Sequence, residues 1–168
     1  MNKAVYAGSF DPPTNGHLWM IKNGSSVFDE LVVAIGINPE KKYAFSVDER
    51  IGMLESITKE FPNTSVADMG RNFLIPFASS VNARYLLRGL RSEADFGCEL
   101  TMRDANRDMN SEIEAWYLIP PSDLRKVSSS FVKGLVGYNG WEDVVKKYVP
   151  DSVHKKILEK FDHVRTKG

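Results

Sequence analysis

The sequence predicts an α/β fold in one domain: a five-stranded parallel sheet in Rossmann-like arrangement, with helices on both faces and a helical C-terminus. Two observations predict it. Short runs rich in Val, Ile, Leu and Tyr recur along the chain, and the spans between them carry helical patterns long enough to cross over a sheet.

The runs fall at 4–6, 31–37, 64–67, 85–87 and 115–119. The intervening helical spans are 15–28, 47–61, 73–82 and 93–109. Connections of that length join parallel rather than hairpin-linked strands, and their right-handedness puts helices on both sheet faces. The second helix opens with Ser46-Val-Asp-Glu49, a capping box that satisfies two orphaned backbone N–H groups. Its apolar stripe, Val47, Ile51, Leu54, Ile57 and Phe61, is expected to face the sheet. Beyond the fifth strand, Ser128 or a neighbour caps a helix running to about residue 135, and Pro150 or Asp151 opens a last one. Gly137-Tyr-Asn-Gly140 reads as a turn between helices. No linker or repeat divides the chain, so residues 1–162 form the expected domain and 163–168 a flexible tail.

Composition narrows the function classes. The 168 residues are 42% apolar and 26% charged, the balance of an ordinary globular protein. Twenty-two Lys and Arg offset twenty-two Asp and Glu, so no overall field gathers polyanions; nucleic-acid binding is not expected, and any phosphate site must be local. Cys98 stands alone, which suits a reducing compartment. No apolar run is long enough to span a membrane, so no membrane partner is expected and the cytoplasm is the expected location. Fingerprints of dehydrogenases, P-loop enzymes and α/β hydrolases are absent, and histidines only at 17, 154 and 163 argue against a histidine metal site.

In a parallel sheet, ligands bind beyond the carboxyl ends of the strands. The segment Gly8-Ser-Phe-Asp-Pro-Pro-Thr-Asn-Gly-His17 follows the first strand and enters a helix whose free N–H groups favour an anion. His17 in the first turn can donate to a phosphoryl oxygen; on residues alone a Pro/Gly turn with a capping histidine explains the segment equally well. Lys41 and Lys42 after the second strand can neutralise phosphate charge or lie solvated. Arg88-Gly-Leu-Arg91 sets two guanidinium forks directly after the fourth strand. Glu99 can hold an arginine or a ligand hydroxyl. Ser128-Ser129-Ser130 offers hydroxyls and free N–H groups to a polyphosphate, where a simple cap needs one serine.

Together these segments resemble the nucleotidyltransferase superfamily, whose T/H-x-G-H signature is matched by Gly8 to His17 and whose second signature is matched by Ser128-Ser-Ser-Phe-Val-Lys133. With Asn38-Pro-Glu-Lys-Lys42, Arg88 to Phe96, Glu99, Asn106-Arg107 and Val149-Pro150 in order, the chain resembles the bacterial phosphopantetheine adenylyltransferases. The resemblance implies in-line transfer of AMP from ATP to 4′-phosphopantetheine, without a covalent enzyme intermediate, giving dephospho-coenzyme A and pyrophosphate. It implies catalytic roles for His17, Lys41 and Arg91. Ser9, Lys41, Leu74 and Arg88 would bind the acceptor. Ser9, Phe10, His17, Gly89, Leu90, Arg91, Glu99, Leu124, Val127, Ser128, Ser129 and Ser130 would bind ATP. Mg²⁺ is implied as a water-bridged cofactor with no dedicated protein ligands, coenzyme A as a feedback inhibitor, and a homohexamer as the assembly. The sequence departs from the family at Ser9, Gly97-Cys98, Leu124-Arg125-Lys126 and Gly134, mainly around the adenine. A sister transferase with another nucleotide or acceptor, and a non-catalytic nucleotide or coenzyme A binder, are the competing readings.

Overall fold

The computed structural model describes residues 1–165. Five strands, β1 (Lys3–Gly8), β2 (Glu30–Gly36), β3 (Thr64–Gly70), β4 (Tyr85–Gly89) and β5 (Glu114–Leu118), form one parallel sheet in the order β3-β2-β1-β4-β5. The expected strands are all present, each within one to three residues at its ends. Helices α1 (Asn15–Val27), α2 (Val47–Thr58), α3 (Leu74–Ser80) and α4 (Glu93–Met109) make the crossovers. Five more follow: α5 (Ser122–Arg125), α6 (Ser129–Leu135), α7 (Trp141–Lys146), α8 (Asp151–Lys160) and α9 (Asp162–Arg165). Of the tail expected from 163, residues 163–165 lie in α9 and 166–168 lie outside the described residues.

Alternation along the strands sorts side chains onto two faces. Ala4, Tyr6, Leu31, Val33 and Ile35 join one core with Met20 and Ile21 of α1, Leu54 and Ile57 of α2, and Trp141, Val145, Val153 and Ile157 of the C-terminal helices. Val5, Val32, Ala34 and Leu86 join a smaller core with Ile75 and Ala78 of α3. Helix α1 lies so close to the sheet that a Cβ on Gly24 would stand 2.5 Å from Leu87 Cδ2; a glycine there sets the depth of packing.

The buried face of α2 departs in part from the expected stripe. The capping box of α2 is present, but its buried face is Arg50, Met53, Leu54, Ile57 and Thr58, while Val47, Ile51 and Phe61 are only half-buried. Ile51 and Phe61 still pack against the core from its edge, and α2 meets α8 as well as the sheet. Helix α4 buries none of its residues and leaves Phe96, Leu100, Met102 and Met109 largely exposed. Its amphipathic stripe is not consumed inside this chain.

The order β3-β2-β1-β4-β5 winds outward from β1 in one direction and from β4 in the other. The loops leaving β1 and β4 therefore part, and the crevice between them is where a ligand site belongs.

Candidate active site

The site begins with the local chemistry of residues 8–17. Gly8 lies against the Phe10 ring, since an added Cβ would come within 3.1 Å of it. Phe10 takes a left-handed backbone, φ 49°, and is 1% exposed; its burial offsets the cost of that conformation. The Asp11–Pro12 peptide is cis.

At the start of α1 the box seen in Ser-x-x-Glu sequences recurs with an imidazole in the carboxylate's place. Thr14 is the N-cap, its Oγ1 accepting from His17 N at 3.4 Å, while Thr14 N donates to His17 Nδ1 at 3.0 Å. A backbone N–H can only donate, so Nδ1 is unprotonated and the neutral ring carries its hydrogen on Nε2. Burial, aided by the nearby Arg91 charge, lowers the His17 pKa from 6.5 to about 4. At neutral pH the residue is an uncharged donor of fixed tautomer, packed edge-on to Phe10 with ring centroids 5.0 Å apart.

That shift has a sign that can be measured. The unfolded imidazole protonates near pH 6.5 and the folded one near 4, so stability from this group is intact above 6.5 and declines as pH falls towards 4, by up to about 3 kcal/mol. Chemical denaturation of the wild type across that interval should weaken more steeply than that of His17→Gln; parallel profiles would rule the shift out.

Asp11, 2% exposed, ties three loops together. Its carboxylate accepts from Ala44 N (3.0 Å) and Phe45 N (2.9 Å) and pairs with Lys133 Nζ of α6 at 2.6 Å. Arg50, 1% exposed, donates from Nη1 to the Ser9 carbonyl at 2.8 Å. Ser129 Oγ donates to the Pro12 carbonyl at 2.8 Å. The loops after β1 and β2 and the start of α6 are thus one unit.

Three clefts open around this unit. The first, ≈ 230 Å³, is lined by His17, Arg88, Gly89, Arg91, Glu99, Leu124 and Val127, with Tyr6, Asp95 and Cys98 among others. The second, ≈ 440 Å³, is lined by Ser9, Phe10, His17, Lys41, Lys42, Arg91, Ser128, Ser129, Ser130 and Lys133, with Asp11 and Tyr43. The third, ≈ 260 Å³, is lined by Ser9, Leu74 and Arg88 with Ile37, Asn38 and Met69. His17 borders the first two, and Ser9 and Arg88 join these to the third. Of the expected site residues only Leu90 lines none of them; its N–H bonds to the Leu118 carbonyl at 2.9 Å.

Cations gather here although the whole chain is neutral. Arg88 is gripped by Glu99 through Nε (2.9 and 3.1 Å) and Nη2; burial works against its charge, but the Glu99 hydrogen bonds and charge leave its pKa raised. Of the two roles open to Glu99, the arginine contact is the one formed. Arg91 is held by Asp95, which accepts from its Nε and its N–H at 3.0 Å each. Lys41 and Lys42 border the second cleft with no ion-pair partner among the described residues. Cys98 is exposed at the edge of the first cleft.

Asp11, Thr14, Arg50 and Asp95 carry this arrangement and were assigned no site role from sequence. Thr14 and Asp95 had local signals: a Thr three residues before His17, hidden because the usual box ends in Glu or Gln, and an Asp four residues after Arg91. Gly16 lines the first cleft and packs closely on the 124–127 segment, where an added Cβ would stand 3.4 Å from the Val127 carbonyl oxygen.

Comparison with known proteins now bears on this geometry. Residues 5–134 match the cytidylyltransferase-like family model. The chain is 50% identical to a phosphopantetheine adenylyltransferase of Neisseria meningitidis serogroup C, over 96% of this chain and 95% of the relative. It belongs to the phosphopantetheine adenylyltransferase family of nucleotidyltransferases. The same name attaches to relatives in Chromobacterium violaceum, 47% identical over 96% of this chain and 98% of the other, and in Caldanaerobacter subterraneus subsp. tengcongensis, 39% identical over 96% and 98%. The fold alone is shared with Plasmodium falciparum nicotinic acid mononucleotide adenylyltransferase complexed with NaAD, TM-score 0.73 at 16% identity over 94% of this chain and 95% of that one.

Proposed function

We propose that this enzyme transfers AMP from ATP to 4′-phosphopantetheine, releasing pyrophosphate and forming dephospho-coenzyme A. The observation that carries the reading is His17, a neutral imidazole whose hydrogen is fixed on Nε2, at the meeting of clefts rich in Arg, Lys and Ser. Membership of the family supports the choice of acceptor.

The attacking group is a phosphate monoester with a second pKa of about 6, so it is already ionised and needs no base. An imidazole with a pKa of about 4 would be a poor base in any case. His17 instead offers Nε2–H to an α-phosphoryl oxygen, where charge grows as the new bond forms and the bond to pyrophosphate breaks. Adenosine fits the first cleft, beside Gly89, Glu99, Leu124 and Val127, with Phe10 supporting His17 from behind. The β- and γ-phosphates fit the second, against Ser128, Ser129 and Ser130, with Arg91 exchanging Asp95 for phosphate. The acceptor fits the third with its phosphate at the border of the second: Leu74 lines its arm, Ser9 of both clefts and Lys41 of the second hold its phosphate, and Arg88, oriented by Glu99, holds the chain. Leu90 contributes by its bond to β5 rather than by contact.

Mg²⁺ would neutralise charge on the triphosphate. Asp11 is the one carboxylate bordering the second cleft and is committed to Lys133 and two backbone N–H groups, and among the described residues no group of His, Cys, Asp and Glu could hold a metal. The ion would therefore be held by phosphate oxygens and water. Coenzyme A, which contains the product, would compete for the same clefts and inhibit. Exposed Phe96, Leu100, Met102 and Met109 on α4, with Trp116 on β5 and Ile119 just after it, support assembly of copies as a homohexamer. Among the described residues no helix is long and apolar enough to cross a membrane, and we place the enzyme in the cytoplasm. Residues 1–162 are the catalytic domain in this reading.

A pyrophosphate-release assay crossing four nucleoside triphosphates with several phosphorylated acceptors tests the substrate pair. Turnover is expected with ATP and 4′-phosphopantetheine together. Turnover with every acceptor except phosphopantetheine would replace the proposal with a sister activity.

A further inference from the structure

Residues 38–45 carry Lys41 on an exposed turn, and such a loop has little packing of its own to fix where the ammonium sits. What holds the turn is unusual. Lys41 N donates to the Asn38 carbonyl at 3.1 Å and Glu40 N to Asn38 Oδ1 at 2.9 Å, so the turn is organised on Asn38. Asn38 in turn is gripped by Tyr43: its N–H donates to the phenol oxygen at 2.6 Å, and the phenol O–H reaches the Asn38 carbonyl at 3.3 Å.

The other end of the contact lies in the core. The Tyr43 ring lies under the guanidinium of Arg50, with Cζ 4.3 Å from the ring centroid. Arg50 is 1% exposed and, among the described residues, pairs with no carboxylate. Its fork donates to the Ser46 carbonyl at 3.2 Å and to the Ser9 carbonyl at 2.8 Å. Burying a guanidinium is costly unless its donors are used and its geometry does something a hydrophobic residue cannot. Here it links the residue that carries Ser9 to the ring that holds the Lys41 turn.

We propose that Tyr43, seated on Arg50, is the positioning residue that sets Lys41 in register with Ser9, so that affinity for the acceptor's phosphate depends on a phenol hydroxyl that acts through the turn. The proposal rests on the functional reading above, in which Ser9 and Lys41 hold that phosphate. Asp11 fixes the far end of the same loop at residues 44 and 45, and Tyr43 fixes the near end.

The test is a double-mutant cycle on the full chain, with Tyr43→Phe, Lys41→Ala and the pair, assayed with ATP and 4′-phosphopantetheine. Tyr43→Phe keeps the ring over Arg50 and removes only the hydroxyl. Loss of its two hydrogen bonds should raise the KM for the acceptor about tenfold while leaving the KM for ATP within about twofold, and thermal unfolding should be nearly unchanged. In the Lys41→Ala background the same substitution should have almost no further effect, because there is no ammonium left to place. Arg50→Lys, which keeps the charge but not the fork, should reproduce the acceptor defect. An unchanged acceptor KM in Tyr43→Phe overturns the proposal. So does an equal rise on the Lys41→Ala background, which would mean that the hydroxyl touches substrate directly or acts through the general fold. A wild type that releases no pyrophosphate with phosphopantetheine overturns the functional reading, and this proposal with it; a competent wild type with an unaffected Tyr43→Phe overturns the proposal alone.

Discussion

Replacing His17 with alanine is expected to lower turnover by on the order of 10²-fold or more, the scale of losing one preorganised donor to a transition-state oxyanion. The Nε2–H has no partner among the described residues, and the donor's tautomer is set by Thr14 N at 3.0 Å. In the proposed role the interaction strengthens only as charge moves onto the α-phosphoryl oxygens, so the KM for ATP should change little while kcat falls. The Thr14 N–H also loses its acceptor while the Thr14 cap itself remains, which costs about 1 kcal/mol of stability, so rates should be compared at a temperature where the variant remains folded. If His17 acted as a base, the wild-type kcat/KM would fall with its protonation near pH 4; if it acts as a donor of fixed tautomer, the alanine variant should show the same pH profile as the wild type, displaced downward. Unchanged turnover would remove His17 from the mechanism.

Asp11→Ala should have the largest effect on stability. It strands Lys133 Nζ, 2.6 Å from the carboxylate, and leaves the N–H groups of Ala44 and Phe45 without their acceptor. The Lys133 side chain is 29% exposed and can turn to water, so the cost is set mainly by the two stranded N–H groups and is expected at about 3 kcal/mol. Urea denaturation should show a lowered midpoint with an unchanged slope. Asp11→Asn, which keeps one acceptor oxygen and loses the charge, should lie between. Activity should suffer beyond the loss of folded protein, because the loops bearing Ser9, Lys41 and Ser129 meet at this carboxylate. A variant as stable as the wild type would show that the three loops are held elsewhere.

The contrast between these two residues shows what the chain makes legible. The strands and crossover helices are local patterns of apolar spacing, and they were read within a few residues. Strand order was not read, because β1 pairing with both β2 and β4 is decided by contacts distant in sequence. Asp11 meets its N–H partners 33 and 34 residues away and Lys133 122 residues away, so nothing in its neighbours marks it as buried. Arg50 lies between residues of the expected apolar stripe of α2 and carries no local signal of its own, yet it is among the most enclosed side chains. Tyr43 was likewise silent, since the ring's role depends on Arg50 beneath it.

The gathering of His17, Arg88, Arg91 and the three serines was foreseen from the rule that loops after parallel strands meet at a crevice. Their pairings were not. Arg88 with Glu99 was one of two stated options, and Arg91 with Asp95 follows from helical spacing that was left unused. Of the positions where the sequence departs from the family, Cys98 and Leu124 line the first cleft and Gly97 lies on α4 beside it, and their chemistry alone does not name a base.

The reaction itself is tested most directly by ³¹P NMR of the enzyme with Mg²⁺, ATP and 4′-phosphopantetheine bearing ¹⁸O in its phosphate. Expected is the loss of the monoester signal with matched growth of a pyrophosphate diester and free pyrophosphate, the label appearing in the diester and none in the pyrophosphate. Formation of ADP, or of AMP with the acceptor unchanged, would contradict direct adenylyl transfer at this site.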